Sequence, residues 1–188
     1  MQSPVVGGRD IRLDILAKDS TGKHYNVEVQ KKPELAKGVR HFKEEGGQEK
    51  MCEAVQDYAE QKSSLVMLDI DNFKQVNDTY GHQEGDAVII GLADILHNER
   101  SGHVSSGRWG GEEFMMLLHD TDVNAAAYIA DLIRQCFGNM NFPSVRTQTV
   151  SLGVTQAKAD DTLDILCTRV DEALYKAKKD GKNRVTVV

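Results

Sequence analysis

Four apolar residues in succession, Leu65-Val66-Met67-Leu68, run straight into two acids, Asp69 and Asp71. Side chains along a strand alternate between its faces, so an unbroken apolar run buries both, and the strand must lie inside a sheet covered on each side. An acid directly after such a run is costly in mid-sheet. At the strand's end it points into the crevice where ligands bind in open sheets. Taken alone, Asp-x-Asp is equally an ordinary polar pair at the end of a strand.

The rest of the pattern extends this strand into a fold. A helix is expected after Gly85, with Val88, Ile89, Leu92, Ile95 and Leu96 in stripe positions, and Phe114 to Leu118 reads as a second buried strand. Asn124 to Phe137 predicts a helix, and Thr147 to Val154 a strand. Leu163, Leu166, Val170, Leu174 and Ala177 predict a long amphipathic helix that stops at Gly181, before a last strand from Arg184 to Val188. With a tight hairpin at Gly110-Gly111, this order predicts an α+β fold, a central sheet covered by helices. Upstream, Ile11 to Leu16 and Tyr25 to Gln30 alternate around a turn-rich Asp19 to Lys23, which predicts a hairpin. Pro33 breaks it, and Glu49 to Gln61 reads as a helix. The expected division is residues 1–62 as an appendage and 63–188 as the main domain.

Length and charge narrow the function classes. A chain of 188 residues holds one well-buried domain and little more. A net charge of -6 opposes coating of nucleic acid, so no nucleic-acid partner is expected. Cys52, Cys136 and Cys167 show no paired metal spacing and read as thiols in a reducing compartment. No apolar run is long enough to span a membrane, and Met1 to Asp10 lacks a signal pattern, so a cytoplasmic protein is expected.

The chemistry-bearing residues fall into three groups. Gly110-Gly111-Glu112-Glu113 joins a sharp turn, open to close approach of a ligand, to two adjacent carboxylates that repel each other. A divalent cation relieves that repulsion, and Mg²⁺ commonly pairs one or two carboxylates with substrate phosphates; Asp69 and Glu112 are candidates for those two. A solvated acidic tip is the plainer alternative. Lys74, Lys178 and Lys182 are candidates to converge on a triphosphate, although Lys176 to Lys179 equally suits a solvated helix end. Asn77 and Asp86 flank Tyr80-Gly81-His82 and offer an amide and a carboxylate suited to a guanine edge, or simply a polar turn.

These pieces match a known pattern. The stretch Leu68 to His82, then Gly85-Asp86, then Arg108-Trp109-Gly110-Gly111-Glu112-Glu113-Phe114 strongly resembles the GGDEF family of diguanylate cyclases. Ser151-Leu152-Gly153-Val154, Asp171 to Lys178 and Gly181-Lys182-Asn183 resemble its later signatures. The resemblance implies a sheet related to nucleotide cyclases and polymerases. It implies condensation of two GTP into cyclic di-GMP, with one GTP held by each protomer of a homodimer. By position, it implies that Asp69, the Ile70 carbonyl and Glu112 hold Mg²⁺ or Mn²⁺. Glu112 would also assist deprotonation of the 3′-hydroxyl, and Glu113 would support the metal. Lys74, Lys178, Lys182 and the N–H groups of Asn72 and Phe73 would hold phosphate, and Asn77 and Asp86 would read guanine. Lys182 stands where the family usually has Arg. The family's opening Asp-x-Leu-Thr-x-Leu-x-Asn-Arg stretch has no counterpart before Ser64, and Ser101 to Val104 do not match its Arg-x-x-Asp inhibition site.

The first 62 residues are similar instead to a recombination-promoting nuclease and transposase family with a PD-(D/E)XK-type core. Asp14, Glu28 and Gln30 fall on its metal-site positions, but its middle is missing, which implies a remnant. The leading expectation is therefore an active diguanylate cyclase. The alternatives are a catalytically inactive GTP-binding GGDEF sensor or dimerisation module and, on Asp14 and Glu28 alone, a metal-dependent nuclease.

Overall fold

The computed structural model describes residues 13–18, 24–29, 62–98 and 104–188. The helix expected from Glu49 to Gln61 lies outside the described residues. Strands β1 (Leu13–Lys18) and β2 (His24–Val29) pair antiparallel as a two-stranded sheet, with Asp14 opposite Glu28. This is the expected hairpin.

The main sheet has five strands. They are β3 (Ser64–Ile70), β4 (Val104–Gly110), β5 (Glu113–Leu118), β6 (Val150–Gln156) and β7 (Val185–Val187), in the order β4-β5-β3-β6-β7. Only β6 and β7 run parallel. Four helices cover the sheet: α1 (Phe73–Tyr80), α2 (His82–Asn98), α3 (Val123–Gly138) and α4 (Leu163–Lys179).

The apolar run of β3 sits at the centre and is buried along its whole length. Its alternation divides the core in two. Val66, Leu68 and Ile70 pack with Phe73 and Val76 of α1, Val88 and Leu92 of α2, and Ala130 and Ile133 of α3. Leu65 and Met67 face the other way, with Met115 and Leu117 of β5, against Leu166, Val170 and Leu174 of α4. Asp69 has the parity of Leu65 and Met67, so the sheet's geometry turns it toward α4.

Two glycines allow the packing that matters for that end of the sheet. A Cβ on Gly153 of β6 would lie 2.4 Å from the Leu174 nitrogen and 2.5 Å from the Val170 oxygen, so α4 rests on bare backbone. A Cβ on Gly85 would lie 2.0 Å from Asn77 Oδ1, so the Asn77 amide rests where it does only with glycine there.

Several expectations shift. The helix expected after Gly85 begins at His82, so Gly85 and Asp86 lie inside its first turns. The segment from Phe73 to Tyr80 is helical rather than a polar loop; Asn72, at φ 56°, turns the chain from β3 into it. The strand expected at Thr147 starts at Val150; just before it, the Thr149 carbonyl accepts from the Asp71 N–H at 2.9 Å, in register with the β3–β6 ladder.

Candidate functional site

The site lies where β3 ends, beside the β4–β5 turn. That turn is Gly111-Glu112, with Gly111 at φ 54°, and β4 carries an irregularity between Arg108 and Gly110. The main-chain N–H of Ile70 donates to the Glu112 carbonyl at 3.4 Å, which ties the end of β3 to the turn. Register puts Glu113 directly across from Asp69. Like charges in opposed positions are destabilising. The answer in the structure is Lys178, whose Nζ lies 2.7 Å from Asp69 Oδ2. Leu166, Val170, Leu174 and Lys178 follow at four-residue intervals along one stripe of α4, and the lysine is that stripe's last member over the sheet. The Lys178 side chain is about a third exposed, at 35%, but its ammonium group is paired with Asp69.

One lysine does not balance this end of the sheet. Burial pushes the Asp69 carboxyl up, Lys178 draws it down, Glu112 and Glu113 push it up again, and the result is about 6 against an ordinary 3.8. A carboxylate so held is short of positive charge. Among the described residues, no group of three or more His, Cys, Asp or Glu side chains is gathered tightly enough to hold a metal ion. The donors on offer are two carboxylates and main-chain carbonyl oxygen, the set that takes Mg²⁺ together with phosphate oxygens.

Asp71, two residues on, has a different occupation. It is buried and accepts from Thr149 Oγ1 at 2.7 Å, Ser151 Oγ at 2.6 Å and the Asn183 main-chain N–H at 3.0 Å. It pins together the end of β3, the approach to β6 and the turn after α4. Within the Asp-x-Asp pair the structural reading thus belongs to Asp71, while Asp69 is turned toward α4 and paired with Lys178.

At the head of α1, the Asn72 side chain makes no capping bond to the first-turn N–H groups. Its Oδ1 instead accepts from Lys182 Nζ. Lys182 therefore reaches the α1 N-terminus, and Lys74 is exposed in the first turn of that helix. The three lysines come from α1, from α4 and from the turn after α4.

Asn77 and Asp86 sit on the packed pair α1 and α2. Asn77 Oδ1 is shut away from solvent without a hydrogen-bond partner among the described residues. Arg108, not foreseen as part of the site, is drawn in. Burial lowers its guanidinium from the ordinary value, and the charges of Asp86 and Glu112 raise it back, so it lies in the field of both. Its Nε donates to the Gly111 carbonyl at 2.6 Å, bracing the turn. The only trace of this in the sequence is its place two residues before Gly110.

A family model described as "Diguanylate cyclase, GGDEF domain" matches residues 40–184 of the chain, starting upstream of the boundary expected at residue 62. Diguanylate cyclase DgcM of Escherichia coli is 42% identical over 142 residues, 75% of this chain and 33% of that protein. Diguanylate cyclase A of Treponema denticola is 37% identical over 128 residues, 66% of this chain and 34% of that protein. The chain thus spans about a third of the length of these curated relatives. Among solved structures, the active GGEEF domain of a diguanylate cyclase from Vibrio cholerae superposes with a TM-score of 0.66 at 37% identity, over 73% of this chain and 89% of that one. The GGDEF domain of DgcB from Caulobacter crescentus, in complex with c-di-GMP, superposes with a TM-score of 0.73 at 28% identity, over 85% and 98%.

Proposed function

Because the chain belongs to the GGDEF diguanylate cyclase family, we propose that it condenses two GTP into cyclic di-GMP with release of pyrophosphate. The condensation takes place in a homodimer whose half-sites face each other. The observation that carries this reading is the charge imbalance at the end of β3. There, Asp69 and Glu113 oppose each other beside Glu112, with Lys178 as the counter-charge on Asp69.

The donor set fits a divalent cation. Asp69, the Ile70 carbonyl and Glu112 would hold Mg²⁺ or Mn²⁺, with Glu113 in support. Bound there, the ion supplies neutralisation of phosphate charge and a more acidic 3′-hydroxyl. The chain's own groups do the remainder. Glu112, on the turn, accepts the proton of the attacking hydroxyl. Lys74, Lys178 and Lys182 neutralise the triphosphate, helped by the N–H groups of Asn72 and Phe73 at the uncapped head of α1. Gly110 and Gly111 let the nucleotide approach the turn; a Cβ at Gly111 would meet nothing within 4 Å. Asn77 and Asp86 read guanine; among the described residues the Asn77 Oδ1 has no hydrogen-bond partner, which leaves its amide uncommitted to the scaffold. Aligning the hydroxyl with the α-phosphate and stabilising the charge that develops are what such a site contributes. The setting proposed is the cytoplasm; among the described residues no helix is long and apolar enough to cross a membrane.

The test is to incubate the purified chain with GTP and Mg²⁺ and separate the products by chromatography. Cyclic di-GMP is expected, and none from Glu112→Ala. GTP binding by the wild-type chain without any product would overturn the enzyme reading in favour of a non-catalytic GTP-binding module.

A further inference from the structure

Immediately after α4, Gly181 has φ 113°, and the next two residues, Lys182 and Asn183, hold left-handed angles of 63° and 46°. Residues with a side chain rarely take such angles in succession, and they keep them only where the surroundings over-determine the backbone. Here the surroundings do so from several directions, among them Arg184, whose Nε donates to the Lys182 carbonyl at 3.2 Å. The Lys182 N–H donates to the Ala177 carbonyl at 3.0 Å. The Asn183 N–H donates to Asp71 at 3.0 Å. A further hold comes from α3, which supplies none of the site residues: Arg134 Nη1 donates to Asn183 Oδ1 at 2.9 Å.

Arg134 is itself fixed. Its Nε pairs with Asp131 Oδ1 at 2.8 Å, one turn back on α3. Gln135 Nε2 holds the other oxygen of Asp131 at 2.6 Å. The chain of contacts therefore runs from the outside of α3 through Asn183 to the strained turn, and ends at the Lys182 ammonium resting on Asn72.

We propose that Arg134 is a positioning residue for the nucleotide phosphates: by holding the Asn183 side chain it locks the left-handed turn that aims Lys182 at the head of α1. This rests on the reading of Lys182 as a phosphate ligand. Without Arg134, Asn183 keeps only its main-chain tie to Asp71. The turn relaxes toward ordinary angles, and Lys182 spreads over many directions. Affinity for the triphosphate falls, while the carboxylates at the end of β3, which do not touch Arg134, still act on GTP once it is bound.

Calorimetric titration of the full chain with a GTP analogue carrying a methylene bridge between the α and β phosphates reads affinity without turnover. Arg134→Ala is expected to bind about fivefold more weakly, the loss of one charge-assisted hydrogen bond that orders a ligand group. Arg134→Lys is expected to recover part of that loss. Product formation at saturating GTP should stay within about twofold of wild type, so the effect falls on KM rather than kcat. The decisive measurement is the double variant. In a Lys182→Ala background, Arg134→Ala should weaken binding no further, because it acts through that lysine. An undiminished Arg134→Ala effect in that background, or no effect in the wild-type background while Lys182→Ala binds weakly, overturns this proposal alone. Unchanged affinity in Lys182→Ala by itself overturns the phosphate role of Lys182 and this proposal with it.

Discussion

Asp69→Asn should make the protein more stable and inactive at once. The Asp69 carboxyl titrates at about 6 in the folded chain against 3.8 for an ordinary aspartate. The folded state therefore holds its proton more tightly than the unfolded state does. Stability is greatest below the unfolded value and falls as pH rises from about 4 through about 6. A shift of about two units, at about 1.4 kcal/mol per unit, is a cost of about 3 kcal/mol for keeping the ionised carboxylate where it is at neutral pH. Asparagine has the same shape and cannot ionise, so it escapes that cost. The expected gain is about 3 kcal/mol at about pH 7.5, or about 10 °C in Tm for a domain of this size. At about pH 4.5 it shrinks to about 1 kcal/mol, because most unfolded aspartate is already charged there and most folded Asp69 is not. Urea unfolding of both proteins, followed by circular dichroism in EDTA at the two pH values, measures the difference. A variant no more stable than wild type at the higher pH, or a gain that persists undiminished at the lower one, refutes the argument that this carboxylate is held short of positive charge. Loss of cyclic di-GMP formation in the same variant would be expected if that carboxylate anchors the cation.

Other substitutions separate scaffold from site. Asp71→Asn removes a carboxylate that accepts from Thr149, Ser151 and Asn183. It should cost about 1–3 kcal/mol in urea unfolding; a neutral effect would mean those donors find other partners. Gly153→Ala drives a methyl against main-chain atoms of α4 at 2.4 and 2.5 Å, and backbone cannot yield as a side chain can. A loss of about 1–3 kcal/mol is expected by the same measurement. Gly85→Ala displaces the Asn77 amide, 2.0 Å from where the methyl would sit. It should weaken GTP binding about tenfold by calorimetry, the cost of about one hydrogen bond to the base; wild-type affinity in that variant would remove Asn77 from the guanine site.

What could be read in the sequence, and what could not, follows from the reach of each signal. The unbroken run Leu65 to Leu68 foretold a strand covered on both faces, because burial of alternate residues is a local property of a strand. The hairpin expected at Gly110-Gly111 implies a strand before the turn, but the extent of β4 was not legible. Val104-Ser105-Ser106-Gly107 has little strand character of its own, and it is a strand because β5 pairs with it. The helix α1 buries only Phe73 and Val76 among its eight residues, too sparse a stripe to read. In the site, the acids, lysines and glycines were legible as residue types at matching intervals. Their partners were not. Nothing local distinguishes Asp69 from Asp71; register and side-chain contacts across the sheet set one against Glu113 and Lys178 and give the other to the scaffold. Lys178 carries a signal in its four-residue interval from Leu174. Arg134 carried none, because its meaning comes from a contact with a residue 49 positions away.

The stripe on α4 ends with a consequence for how this protein can change. The cation over Asp69 is delivered by helical phase, not by a loop, so its placement inherits the tolerance of the hydrophobic core beneath it. A single residue inserted or deleted between Leu174 and Lys178 would rotate the ammonium by about 100° around the helix axis, and no adjustment of nearby loops would bring it back. The turns beside the site are held by contacts of their own, whereas this one interval is locked to the core.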